Sequence, residues 1–274
     1  MRRNLEVLVS ALEKDPMKLA SAMNLECDAL IVNQGNRDSG YEYENENRLK
    51  IRVIESCARG IGRSRNLALD KADSKIVLFS DDDIVYSKGY ADSILKAFSS
   101  DPGADIIMFN VDVCEERRTY HIDRPLRVHK WSVGRYPCYA AAARLESIRK
   151  PGIRFSELFG GGAKYSSGED NLFFMDCLRA GLVIKAVPVN IGKEVPRKST
   201  WFNGFNEKFF KDRGVLYSFL YGRFAVIWAL RFVLAKRKSY ENSVKPSDAF
   251  RWMKGGIAEG KRLVLSSGRI SYES

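Results

Sequence analysis

Residues 5–9, 29–32, 51–55, 75–79 and 105–109 are short apolar runs rich in Val, Ile and Leu, and each predicts a β-strand. Stretches near 15–25, 62–72 and 88–99 lie between them and predict helices, the last stopping at Asp101-Pro102-Gly103. Strand and helix taking turns through about residue 115 implies βαβ units and a mostly parallel sheet flanked by helices. The run Lys75-Ile-Val-Leu-Phe79 has no polar alternation, which marks a strand buried on both faces. It ends abruptly at Ser80-Asp81-Asp82-Asp83.

In open α/β sheets ligands bind at the carboxyl ends of the strands. Adjacent carboxylates there repel one another unless a cation sits among them. Oxygen-only ligands suit Mg²⁺ or Mn²⁺, which complete their shells with phosphate and water. A metal-bridged nucleoside diphosphate fits such a tip, and a solvated acidic turn with an Asp as N-cap is the plain alternative. A second acidic pair lies downstream. The glycine-rich stretch 159–168 leads into Gly168-Glu169-Asp170 and a helix running to about residue 180. Two carboxylates at the positive end of a helix dipole stay ionised and can take a proton from a hydroxyl, although an acidic first turn also serves as ordinary capping.

The chain has 274 residues, 45% of them apolar, enough for one large α/β domain with an appendage. With 45 Lys and Arg against 34 Asp and Glu, its formal charge of +11 favours anionic partners. The basic residues are scattered and no nucleic-acid reader motif occurs, so no nucleic-acid partner is expected. Cys27, Cys57, Cys114, Cys138 and Cys177 form no C-x-x-C pair and predict reduced core thiols in a cytosolic protein. The opening apolar run is too short for a signal peptide or an anchor.

Four landmarks in order across about residues 4–210 resemble the inverting family 2 glycosyltransferases with the GT-A fold. They are the opening strand, Gly60-Ile-Gly-Arg-Ser-Arg65-Asn66 in place of G-x-x-x-A-R-N, the Asp81-Asp82-Asp83 motif, and Gly168-Glu169-Asp170 with Phe173 on the following helix. The resemblance implies a Rossmann-like GT-A catalytic domain over 1–213, its nucleotide-sugar half at about 1–115 and its acceptor half at about 116–213. It further implies that Asp81 and Asp83 hold Mn²⁺ or Mg²⁺ on the donor diphosphate, that Ser10, Gln34, Arg65, Asn66 and Asp82 help to bind the donor, and that Asp170 is the catalytic base with Glu169 in support. The activity implied is transfer from a nucleotide sugar, UDP-linked first, to a glycan or lipid-linked acceptor, as in cell-surface polysaccharide synthesis. A metal-dependent nucleotidyltransferase and a non-catalytic nucleotide- or nucleic-acid-binding protein are the alternatives. Nucleotidyltransferases usually announce themselves with an N-terminal glycine-rich phosphate loop, and residues 5–14 contain no glycine.

Two departures limit what carries over. Many members have two aspartates after the second strand, where this chain has Val32-Asn33-Gln34-Gly35; the Gln34 amide can still pair with uracil, offering both donor and acceptor. The segment from Gly192 to Trp201 lacks the family's metal-ligating histidine, leaving Lys193, Arg197 or Lys198 to meet phosphate, while His121 and His129 read as surface or packing residues. Residues 214–274 predict a helical extension. Its stretch 216–235 is apolar almost all round but interrupted by Arg223 and Arg231 and followed by Lys236-Arg237-Lys238, which argues against a bilayer span. It suits a helix at an anionic membrane surface, placing the protein peripherally on the inner face of the membrane, or equally a helix packed on the catalytic domain or a homodimer partner.

Overall fold

The computed structural model describes residues 4–115, 118–196 and 204–266. In chain order its elements begin β1 (Leu5–Leu12), α1 (Pro16–Ala22), β2 (Asp28–Gln34), β3 (Ser39–Glu44), β4 (Lys50–Ser56), α2 (Ile61–Lys71), β5 (Ile76–Asp81), β6 (Ile84–Tyr86) and α3 (Tyr90–Ser100). They continue with β7 (Ile106–Asp112), β8 (Leu126–Arg127), β9 (Ala141–Arg144), α4 (Leu145–Arg149), α5 (Glu169–Arg179) and β10 (Ile184–Glu194). The chain then runs through α6 (Glu207–Tyr221), α7 (Ala225–Ala235), α8 (Arg237–Tyr240) and α9 (Pro246–Ser266).

One mixed sheet has the order β3-β4-β2-β1-β5-β9-β7-β10-β6, with β8 beside β10. β1, β2, β4 and β5 pair in parallel, as do β7 and β10, while β9 runs antiparallel to both β5 and β7 and so joins the two halves in a common direction. The parallel strands therefore end along one edge, and Ser10 of β1 stands in register with Asp81 of β5 at that edge. β1 and β2 are buried almost throughout, which is why both read as largely apolar runs.

Behind the edge, Phe155 and Phe173 stack with centroids 3.9 Å apart, and Phe79 of β5 meets both rings edge-on at 5.5 and 5.7 Å. This cluster ties the central strand to α5, so the helix carrying Glu169 and Asp170 is fixed against the strand carrying Asp81.

Three features mark the C-terminal part. α6 passes unbroken through position 213, the expected domain boundary, and buries Val215, Leu216, Phe219 and Leu220. The apolar stretch 216–235 is two helices, because Gly222 adopts φ 50° and a single 3₁₀ turn re-aims the chain into α7. α9 packs closely on α6: a Cβ at Gly256 or Gly260 would lie 2.0 Å from an atom of α6. Of the cysteines, Cys27, Cys138 and Cys177 are buried thiols as expected, but Cys57 and Cys114 are exposed, since both follow the exit of a strand into a loop.

Candidate active site

Asp81 ends β5, and Arg65 approaches it from α2. The Arg65 side chain is 4% exposed and donates from Nη2 to Asp81 Oδ1 at 2.9 Å. Its Nη1 donates to Asp170 Oδ1 at 2.5 Å and to Glu169 Oε1 at 3.3 Å. The guanidinium carbon lies 5.4 Å from the centroid of the Phe155 ring, which supports the plane of the fork. One buried cation thus joins the two acidic motifs that the sequence separates. The repulsion expected at the strand tip is relieved by the chain itself: Asp81 meets Arg65, and Asp82 turns to the end of β1, where Leu12 N–H donates to it at 3.4 Å and Lys14 Nζ stands 3.9 Å away.

Asp170 accepts a second bond, from the Cys138 backbone N–H at 2.9 Å. Its carboxylate is therefore directed at Arg65 and the loop before β9, so capping its own helix is not what holds it. Glu169 folds back to accept the Gly168 N–H at 3.1 Å. Gly168 has φ 124°, and a Cβ there would lie 2.6 Å from the Leu216 methyls, so both conformation and space require glycine at the entry to α5. Burial and the charge of Asp170 push the Glu169 carboxyl up to about 7, against the pull of Arg65. Burial also raises Asp170, opposed by Arg65 and the Cys138 N–H. Burial works against the charge on Arg65, but Asp170, Asp81 and Glu169 outweigh it and keep the guanidinium protonated. The site holds a proton-accepting pair with raised affinity beside a permanent cation.

Three expected donor-binding residues have structural partners. Gln34 is buried, accepting the Gly60 N–H at 2.7 Å and donating to the Ala11 carbonyl at 3.4 Å, so it fixes the start of α2 and does not present its amide to solvent. Asn66 exchanges two hydrogen bonds with the Phe155 backbone, at 3.0 and 2.8 Å, and sets the loop beneath Arg65. Ser10 lies buried at the edge beside Ser64, their hydroxyls 3.0 Å apart. Asp83 is half-buried just past the strand, and its carbonyl accepts the Val195 N–H at 2.7 Å. His121 and His129 are exposed, as is Lys193 on β10; Arg197, Lys198 and Trp201 lie outside the described residues. The Cys138 N–H is a functional group that no side-chain motif could have disclosed.

Among the described residues no group of three or more His, Cys, Asp or Glu side chains could hold a metal ion. Mg²⁺ and Mn²⁺ do not need such a cage, since one or two carboxylates with substrate phosphates and water complete their shells. With Asp81 tied to Arg65 and Asp82 to Lys14, the oxygen donors at the strand tip fit a metal shared with a diphosphate rather than one held by protein alone.

The profile of Glycosyl transferase family 2 matches residues 5–152, more than half of the chain and the part that carries Arg65 and the three aspartates. The chain belongs to glycosyl transferase family 2. No curated protein matches it. Among solved structures, S. aureus TarS 1-349 in complex with UDP-GlcNAc superposes with a TM-score of 0.65 at 14% identity, over 95% of this chain and 81% of that one. The same protein in complex with UDP gives a TM-score of 0.61 at 14% identity, over 97% and 91%. The mannosyltransferase PcManGT from Pyrobaculum calidifontis, in complex with GDP-Man and Mn²⁺, gives 0.53 at 13% identity, over 98% and 80%. These likenesses extend the GT-A fold beyond residue 152, through α5 and the C-terminal helices. The protein is a glycosyltransferase of this fold.

Proposed function

We propose that this family 2 enzyme transfers a sugar with inversion from a nucleoside-diphosphate donor, UDP-linked before GDP-linked, to a hydroxyl of a glycan or lipid-linked acceptor in cell-surface polysaccharide synthesis. The observation that carries the reading is the Arg65 bridge. It holds a strand-end carboxylate, Asp81, and a helix-start pair, Glu169 and Asp170, as two acidic stations about one small volume. Displacement at an anomeric carbon needs charge stabilisation on the leaving side and proton removal on the opposite side, and two stations meet that need.

In this mechanism Asp170 accepts the proton of the attacking hydroxyl. Arg65 and the Cys138 N–H orient its carboxylate, and Glu169 holds the acceptor by a hydrogen bond. The acceptor oxygen forms the new bond as the bond to the nucleoside diphosphate breaks on the opposite face, so no covalent enzyme nucleophile is required. Asp83, with Asp81 second, would hold Mn²⁺ or Mg²⁺, and the metal would supply charge neutralisation to the departing diphosphate. The UDP preference rests on the TarS complexes and the GDP alternative on PcManGT.

A panel of UDP- and GDP-sugars, followed by thermal shift with and without Mn²⁺, tests the donor. One UDP-sugar should raise Tm in a Mn²⁺-dependent way, and NMR of its transfer product should show the opposite anomeric configuration. Stabilisation by nucleoside triphosphates alone, with release of pyrophosphate, would point instead to nucleotidyl transfer.

A further inference from the structure

Among the described residues, only the helical stretch Glu207–Ala235 is long and apolar enough by composition to cross a membrane. Its geometry excludes that use. α6 has buried its apolar side chains against the domain, and the chain turns at Gly222. α7 alone has 11 residues, about 16 Å at 1.5 Å per residue, roughly half the hydrocarbon thickness of a bilayer.

α7 is turned the wrong way for a helix on a soluble surface. Its inner stripe is the small set Ala225, Ala229 and Val233, while Val226, Ile227, Leu230 and Leu234 face outward. Ile227 and Leu234 are 65% and 63% exposed, and Phe224 continues the patch across the preceding turn. Trp131, 74% exposed, stacks on Trp228 at 5.6 Å and adds an amphipathic ring of the kind that settles at headgroup depth. The rim is basic. Arg223 and Arg231 lie over the Phe224 and Trp228 rings, exposed Lys236, Arg237 and Lys238 follow directly on α7, and residues 222–240 contain no acidic residue. Glu241, paired with Arg237 at 2.7 Å, is the acid beside them.

We propose that this face lies in the plane of an anionic phospholipid surface, with the α7 side chains among the acyl chains and the basic rim at the phosphates. An apolar patch ringed by cations on one side only is complementary to such a surface, whereas a second copy of the chain would bring the same positive rim against itself. The face adjoins the candidate active site. Trp131 belongs to the loop whose Gly134 carbonyl accepts from Asn171 Nδ2 at 3.1 Å and whose Cys138 N–H holds Asp170. Docking would therefore set the acceptor side of the enzyme at the bilayer, where a lipid-linked acceptor is presented. That last consequence rests on the glycosyl-transfer reading; the docking itself does not.

Flotation of the whole chain with phosphatidylglycerol–phosphatidylcholine vesicles, against phosphatidylcholine alone, tests the proposal, with UDP binding and Tm measured in parallel. The protein should float with the anionic vesicles, and the bound fraction should fall as salt is added. The paired change Ile227→Glu and Leu230→Glu should abolish flotation, and Lys236→Gln, Arg237→Gln and Lys238→Gln together should weaken it on the order of a hundredfold. Both variants should keep UDP binding and Tm. Wild-type protein that stays unbound, or flotation undiminished in the Ile227→Glu, Leu230→Glu protein, overturns the docking while leaving the donor reading intact. So does a dimer in sedimentation velocity that the same pair dissociates, which would assign the face to a second copy. Vesicle binding with no response to any nucleotide sugar would uphold the docking and sink the transfer reading.

Discussion

Replacing Arg65 by Met keeps the length of the side chain and removes the charge from the centre of the site. Three carboxylates then lose their common counter-ion while staying packed where they are. Breaking a buried ion pair from one side costs about 3–5 kcal/mol. The lower end applies here, because the Asp81 and Asp170 side chains are 25% and 21% exposed and water offsets part of the loss. For a chain of this size, at roughly 2 °C per kcal/mol, the expected fall in Tm is about 6 °C near pH 8. The pH dependence has a definite sign. A carboxyl whose pKa is raised by folding contributes stability that is present below its unfolded value and lost as pH rises through its folded value. Glu169 already stands at about 7 against an ordinary 4.5, and removing the cation raises it and Asp170 further. The Tm gap between wild type and Arg65→Met should therefore be small at pH 5 and widen toward pH 8. Calorimetry of both proteins across that range is the assay. A constant gap, or an Arg65→Met protein as stable as wild type at pH 8, would refute the view that this guanidinium holds the acidic stations together.

Asp83→Ala should abolish the Mn²⁺-dependent part of UDP binding in titration calorimetry and leave Tm without ligand nearly unchanged; undiminished Mn²⁺-dependent binding would remove Asp83 from the metal site. Gly168→Ala forces a side chain into φ 124° and into contact with Leu216, so roughly 1–3 kcal/mol of backbone strain plus the clash should lower Tm by several degrees and reduce turnover with it. A Gly168→Ala protein with wild-type Tm would show that the entry to α5 is not held as described.

The strands that form the parallel core were legible because burial on both faces leaves an unbroken apolar run, and the site motifs because carboxylates stood where such runs stop or where glycines admit a helix. The missed strands failed that test for physical reasons. β3 is a polar edge strand with most of its residues exposed, β9 is four small or polar residues needing no branched side chain, and β10 contains Pro188 and shifts register between Ala186 and Asn190. Gly222 was a visible breaker inside 216–235, yet the apolar residues on both sides of it favoured reading one helix. The role of Arg65 was the least legible. Its partners lie 16, 104 and 105 residues along the chain, and on the sequence alone it also read as decoration of a helix's first turns. Gln34 and Asn66 were expected at the donor by motif position, and folding gives each a backbone partner that the motif did not disclose.

The account depends most on Asp170 acting as the base, and turnover of Asp170→Asn measures this directly. The amide oxygen can still accept from Arg65, while the amide NH2 replaces the oxygen that met the Cys138 N–H, so size and one of the two contacts are kept while the proton acceptor is gone. UDP-sugar affinity should stay within a few-fold of wild type, and turnover should fall by the ~10²–10⁴-fold typical of losing a general base. Near-normal turnover in Asp170→Asn, or a defect in stability alone, would contradict the assignment and place the base elsewhere.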